Sequence, residues 1–363
     1  MPGEYTPGAS GAEVDCGGRL RGSQNAGRGR CGRVATRPGL LHTADVLAKL
    51  LDSVLDASIV YSFDAKGYRR HARRFCADDL AVDLSDRVCL VTGANGGIGL
   101  EIARALARLR AEVFLLCRDP ERGEAARQAV RGDSPNRTVR LELMDVSSLD
   151  SVRAFCARWQ GRSVDVLVHN AGLIPAERTL TEEGLELAFA THVVGPFLLS
   201  RLLEGALADG DPGRVLFVSS GGMYTERLSL EDLDWQKRSP YDGVKAYAQT
   251  KRMQVVLAEQ LAAYWKAKGI LCHSMHPGWV DTPGLQESLP NFSRWMSGRL
   301  RTPAEGADTV VWLAASRAAA QSSGKFWLDR VPRRTHLGPW TRETPEVRDA
   351  LWVLCEERAG LRA

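Results

Sequence analysis

Val88-Cys89-Leu90-Val91-Thr92 runs straight into Gly93-Ala94-Asn95-Gly96-Gly97-Ile98-Gly99, a short apolar run followed by a glycine-rich turn. Each glycine has a physical reason to be there. Gly93 permits the tight turn, Gly97 lets the backbone approach a pyrophosphate, and Gly99 lets the next helix sit close on the strand. A helix opening at Ile98 offers unpaired N–H groups and the positive end of its dipole to an anion. Such a turn means little alone, but between a strand and a helix it reads as a dinucleotide cradle.

Outward from this stretch, apolar runs alternate with helical patterns. Strands are expected over Val88–Thr92, Glu112–Cys117, Val139–Leu143, Val164–Val168, Arg214–Val218 and Ile270–Ser274. Helices are expected from Ile98 to Arg110, over residues 121–131, and from Val244 to Lys268, where neither Gly nor Pro interrupts. This alternation predicts an α/β fold, a single doubly wound parallel sheet of Rossmann type with helices on both faces.

The 363 residues are 44% hydrophobic and 25% charged, ordinary for a globular chain long enough to bury its own core. The net charge of +4 is too small for a nucleic-acid footprint, so no nucleic-acid partner is expected. Eight cysteines (16, 31, 76, 89, 117, 156, 272 and 355) form no C-x-x-C pair. Zinc and a disulfide framework are therefore disfavoured, and an intracellular, cytoplasmic setting is expected. No apolar run is long enough to span a membrane.

Residues 1–40 are one-quarter Gly and Arg-rich, and are expected to be a disordered tail. Organelle targeting by this basic start is the alternative, weakened by Glu4, Glu13 and Asp15. Leu47, Leu50, Leu51, Val54 and Leu55 then mark an amphipathic helix over 44–60. Its polar face carries Asp45, Asp52 and Asp56, which favours packing on the body or in a homodimer over peripheral membrane contact. Residues 64–84 read as a connector with Arg69, Arg70, Arg73 and Arg74 in solvent.

The spacing T-G-x-x-x-G-x-G, together with Val218-Ser-Ser-Gly-Gly-Met223, Tyr247-Ala-Gln-Thr-Lys-Arg252 and Pro277-Gly278, resembles the short-chain dehydrogenase/reductase family, near its retinol-dehydrogenase-like branch. The resemblance covers about two-thirds of the chain, within residues 85–335. It implies an NADP-binding oxidoreductase domain there, preceded by the tail (1–40) and the helix and connector (41–84). Residues 336–363 are read as a C-terminal extension.

Cofactor-binding residues are expected at the strand ends. Gly93, Asn95, Gly97, Ile98 and Gly99 would hold the pyrophosphate. The second strand ends Cys117-Arg118-Asp119, and an Arg there suits the 2′-phosphate of NADP(H) unless Asp119 turns inward. The resemblance implies that Asp145 and Val146 meet the adenine and that Asn170, Ala171 and Gly172 line the fourth strand's end. There His169 replaces an Asn of the family pattern. Pro277, Gly278, Val280 and Thr282 would reach the nicotinamide.

Carbonyl–alcohol interconversion needs a proton donor and a polarising group at the oxygen. Tyr247 and Lys251 stand at i and i+4 on one helix face, and both would also hold cofactor. Tyr241 and Lys245 share that spacing, but Pro240 and Gly243 interrupt a helix there. A phenol with a pKa of about 10 must drop by about 2–3 units to act near neutrality. A cation at about 4 Å supplies enough, so Lys251 is expected to lower Tyr247.

The resemblance makes Ser220 the hydroxyl that orients the substrate oxygen. It also puts Asn where this chain has His192, supporting a water linked to the Lys. A reduced rate is therefore expected, with added pH dependence as His192 charges near 6–7. His273 and His276 are expected to be packed, not catalytic. Leu285, Leu289, Phe292, Trp295 and Met296 fall close to one helical face before Pro303. The resemblance implies a substrate lid there, an apolar one for a lipophilic carbonyl or alcohol, with ordinary packing against the core as the alternative. The competing reading is a weakly active or inactive dinucleotide-binding sensor or interaction protein. Epimerase chemistry on the same fold is disfavoured by the glycine spacing.

Overall fold

The computed structural model describes residues 62–134, 138–210 and 212–362. The tail over 1–40 and the helix over 44–60 lie outside them. Eight strands form one sheet: β1 (Val88–Thr92), β2 (Glu112–Cys117), β3 (Val139–Leu143), β4 (Val166–His169), β5 (Arg214–Val218), β6 (Leu271–Met275), β7 (Phe326–Leu328) and β8 (Val331–Arg333). Their order is β3-β2-β1-β4-β5-β6-β7-β8. β1 to β7 are parallel, and β8 turns back antiparallel on β7. The order reverses between β1 and β4, which opens a crevice at their carboxyl ends.

The helices are α1 (Ala65–Ala72), α2 (Gly97–Arg108), α3 (Pro120–Gly132), α4 (Leu149–Arg158), α5 (Gly195–Leu202), α6 (Glu204–Ala208), α7 (Gly243–Tyr264), α8 (Pro283–Ser288), α9 (Pro290–Trp295), α10 (Pro303–Ala315) and α11 (Pro345–Arg358). A helical turn at Leu187–Phe189 enters α5 through a π-turn at Ala190–Val194. The central strands are apolar on both faces because helices cover both. Leu90 and Phe114 join the core beneath α4, α5 and α7. Their neighbours Cys89, Val91 and Val113 join the core beneath α2 and α10.

Three local expectations differ from the structure, and two further strands are unexpected. Residues 64–84 hold α1, capped by Asp64 on the Gly67 amide, and a 3₁₀ turn at Ala77–Leu80. Arg69, Arg73 and Arg74 are exposed, but His71 is buried against Asp329. The expected lid helix is broken into α8 and α9 at Pro290, whose ring cannot continue the first helix. Trp295 is 66% exposed while Met296 is fully buried, so the proposed common face is divided. β7 and β8 have only three residues each, too short for a periodic signal.

The C-terminal residues pack on the body. α11 buries Leu351 and Cys355 in the core and sets Trp352 edge-on to Phe197. Among the described residues, no helix is long and apolar enough to cross a membrane, and no His, Cys, Asp or Glu cluster could hold a metal.

Candidate active site

The glycine-rich turn is clamped by the strand beside it. The Asn170 side-chain amide donates to the Thr92 and Gly93 carbonyls, while the Asn170 and Ala171 amides donate to the Thr92 hydroxyl. Gly99 passes so close that an added Cβ would lie 2.3 Å from the Gly93 oxygen and 2.4 Å from the Asn170 amide nitrogen. No side chain caps the first amides of α2, unlike those of α3, α4, α7 and α10. Space beside Gly96 is open. Uncapped amides facing an open glycine cradle fit a pyrophosphate.

Other strand ends complete the crevice. Arg118 is exposed after β2, and Asp119 turns away from it to cap α3 through the Glu121 and Arg122 amides. Asp145 holds the Ser147 amide and hydroxyl. The Val146 carbonyl abuts Gly195, where any Cβ would collide at 1.8 Å. Thr282 caps α8 and brings its methyl near Gly97, and Ile98 and Val280 both border Gly306 of α10. Residues from opposite ends of the chain thus meet around one crevice. Asn95 lies partly buried in the same turn.

Asp242 caps α7, which starts at Gly243 and carries Tyr247 and Lys251 at one end of the crevice. Tyr247 and Ser220 both border Gly222, and Lys251 and His192 both border Gly172. Burial raises the Tyr247 pKa and the Ser220 hydroxyl draws it back. The expected lowering by Lys251 is not present. Lys251 directs its Nζ at the Val218 carbonyl (2.9 Å) and Gln254 Oε1 (3.1 Å), 5.4 Å from the Tyr247 ring centre. Burial also drops Lys251 to about 7, since a low-dielectric setting disfavours either charge.

His192 differs too. Burial and the nearby Lys251 hold its pKa well below 6.5, so it stays neutral and the expected charging near 6–7 does not occur. Its Nε2 accepts from the Leu173 amide (3.1 Å), which leaves Nδ1 to donate to the Thr250 hydroxyl (2.8 Å). Thr250 passes its own hydrogen to the Tyr247 carbonyl.

The rival pair is dispersed. Tyr241 precedes the helix and donates to Glu186 (2.7 Å), and Lys245 is exposed.

The short chain dehydrogenase model matches residues 87–230. Dehydrogenase/reductase SDR family member 12 of Bos taurus is 41% identical over 300 residues, 82% of this chain and 94% of that protein. The chain belongs to the short-chain dehydrogenase/reductase family. Retinol dehydrogenase 12 of Bos taurus is 32% identical over 87% of this chain and 99% of its own length. A solved structure described as an NAD(P)-dependent gluconate 5-dehydrogenase from Beutenbergia cavernae, with bound NADP, is 25% identical with a TM-score of 0.55. It covers 68% of this chain and 96% of its own. Membership makes this dehydrogenase/reductase an oxidoreductase of a family that binds a nicotinamide dinucleotide.

Three further histidines of this family member are built into its packing. His169 bonds Ser200 and lies against Phe217, which resolves the replacement of the family's Asn locally. His273 accepts from the Trp327 indole, and His276 accepts from the Gly221 and Gly278 amides. Sequence reasoning missed Gln254, though it falls at i+3 from Lys251 on the same helix face. It also missed Arg301, 1% exposed, which binds the Phe63, Asp64, Ser62 and Pro277 carbonyls and both oxygens of Asp329. No local pattern signals Arg301, because its partners lie up to 239 residues away.

Proposed function

We propose that this chain is an NADP(H)-dependent reductase or dehydrogenase that interconverts a carbonyl and an alcohol on a lipophilic small molecule. The observation that carries the reading is the meeting of Tyr247 and Ser220 beside Gly222, with Lys251 behind them and the glycine cradle across the crevice. Bound nicotinamide dinucleotide would supply or accept the hydride. Tyr247 gives its phenolic proton to the substrate oxygen in reduction and takes it back in oxidation. Its raised pKa keeps that proton in place at neutral pH, ready for donation. Ser220 donates to the same oxygen, and Lys251 provides positive charge as the phenolate forms.

NADP(H) is favoured by Arg118, because Asp119 is occupied as a helix cap and leaves the guanidinium free to meet a 2′-phosphate. The bound NADP of the gluconate 5-dehydrogenase structure supports the same choice. Replacing Arg118 with Asp should weaken NADPH binding about tenfold or more while changing NADH little, in fluorescence titrations with both. A lipophilic substrate is favoured by the aromatic wall of Phe63, Trp279 and Phe292, and by the retinol dehydrogenases among the relatives.

The test is NADPH turnover by the full chain over a panel of lipophilic aldehydes and ketones. Tyr247→Phe should cost about 10³-fold in rate with NADPH affinity kept. Tyr241→Phe should leave the rate within about twofold, because its hydroxyl is bonded to Glu186 and not to Tyr247, Ser220 or Lys251. The reverse pattern overturns the assignment. The second reading, a dinucleotide-binding protein with little turnover, is favoured by His192 standing where active members carry Asn. Firm NADPH binding without turnover, in both the natural chain and His192→Asn, would select it.

A further inference from the structure

Lys251 must satisfy three N–H donors inside the protein, where it is only 3% exposed. One goes to the Val218 carbonyl and one to Gln254 Oε1. Gln254 is itself 1% exposed, and its other end is also tied: Nε2 donates to the His192 carbonyl at 2.9 Å. That carbonyl sits in the π-turn Ala190–Val194. The amide can face only one way, because a carbonyl at one end requires NH₂ and an ammonium at the other requires oxygen.

We propose that Gln254 is a positioning residue for Lys251, a strut whose oxygen fixes the ammonium while its nitrogen grips the π-turn, so that it sets where and over what pH range Lys251 is charged. Its effect on rate rests on the reductase chemistry proposed above; its effect on Lys251 does not. The titratable groups facing Lys251 are Tyr247 from its own helix and neutral His192 from the π-turn. β5 brings the Val218 carbonyl, Ser219 bonds the Lys251 main-chain carbonyl, and the loop after β4 brings Gly172 beside it. Among the described residues no carboxylate bears on Lys251, and burial alone governs its shift to about 7. The Gln254 dipole is therefore the main side-chain support its charge has. Removing it leaves a buried N–H and the His192 carbonyl unpaired.

The experiment is ¹³Cε-lysine NMR titration of the full chain, whose eight lysines make Lys251 assignable by its loss in Lys251→Met. Gln254→Leu should lower the Lys251 midpoint by about one pH unit, and Gln254→Glu should raise it by at least as much. With saturating NADPH, Gln254→Leu should lose about tenfold in rate at neutral pH, with the alkaline loss of activity moving to lower pH alongside the NMR midpoint. A merely structural role predicts a uniform loss at every pH. Unmoved midpoints in both folded variants overturn the proposal, and Gln254→Glu carries the test if Gln254→Leu does not fold. Midpoints that move in a chain without turnover would retain the strut and defeat the reductase reading instead.

Discussion

The turn at Gly93–Gly99 and the turn at Pro277–Thr282 face each other across one crevice, and they are held by different physics. The first is made by backbone rules within a dozen residues, reinforced by Asn170 and Thr92 of adjoining strand ends. The second is pinned by Arg301, whose guanidinium lies over Gly278 so closely that a Cβ there would sit 2.2 Å from it. Gly278 also needs its φ of +83°, a value glycine adopts without penalty. Arg301 ties this turn to residues 62–64 and, through Asp329, to His71 of α1. One wall is therefore local and the other is assembled from segments far apart in the chain. The same crevice depends on both.

The comparison breaks most sharply at Arg301. Arg301→Ala leaves the Asp329 carboxylate buried without its guanidinium and strips four backbone carbonyls of a donor. The expected loss is about 3–5 kcal/mol of stability, read from urea unfolding. A loss below about 1 kcal/mol would show that the second wall does not depend on this residue.

Acid should weaken the same wall next. Burial holds His273 at about 4 and His276 at about 3, both below the ordinary 6.5. A base whose folded pKa is depressed is bound by more protons when unfolded, so its contribution is complete above 6.5 and is lost as pH falls toward 3–4. Each should cost up to about 2 kcal/mol between pH 6.5 and about 5. Burial depresses His169 and His192 as well, so His276→Gln should remove about a quarter of the acid dependence in urea midpoints measured across this range. An identical slope in the variant would place the acid sensitivity elsewhere.

The first wall is sharpened by its own glycines. Gly99→Ala forces a methyl group against the Gly93 carbonyl and the Asn170 amide, an overpacking cost of about 1–3 kcal/mol. NADPH affinity should fall with it, because the displaced atoms shape the cradle. Gly96→Ala is the control with the smallest effect, within about 0.5 kcal/mol, since it adds its methyl into open space on extended backbone. Equal losses in both variants would mean that close approach is not what selects glycine here.

The two i, i+4 pairs show how far sequence reasoning carries. Pro240 and Gly243 already argued against Tyr241 and Lys245, and the structure starts α7 at Gly243 with Tyr241 bonded to Glu186 instead. Periodicity located Tyr247 and Lys251 on one face of that helix. It does not show that Lys251 aims at Gln254 and Val218, nor that burial outweighs any lowering of Tyr247 by its charge. The family resemblance singles out His192, yet its neutrality follows from complete burial, which no spacing reveals.

By itself the sequence determined the glycine cradle, the alternation that builds the parallel sheet, the strand-end residues and the helix bearing Tyr247 and Lys251. These depend on backbone conformation and periodicity over short spans, which residue types encode directly. Only the tertiary structure decided that α1 closes on Arg301 and Asp329, that α11 covers Phe197, and that residues 283–295 break into two helices. It also decided which way each buried charge and ring nitrogen faces. Those outcomes depend on desolvation and on partners hundreds of residues apart, and a buried group's charge is set by what surrounds it in space rather than by its neighbours in the chain.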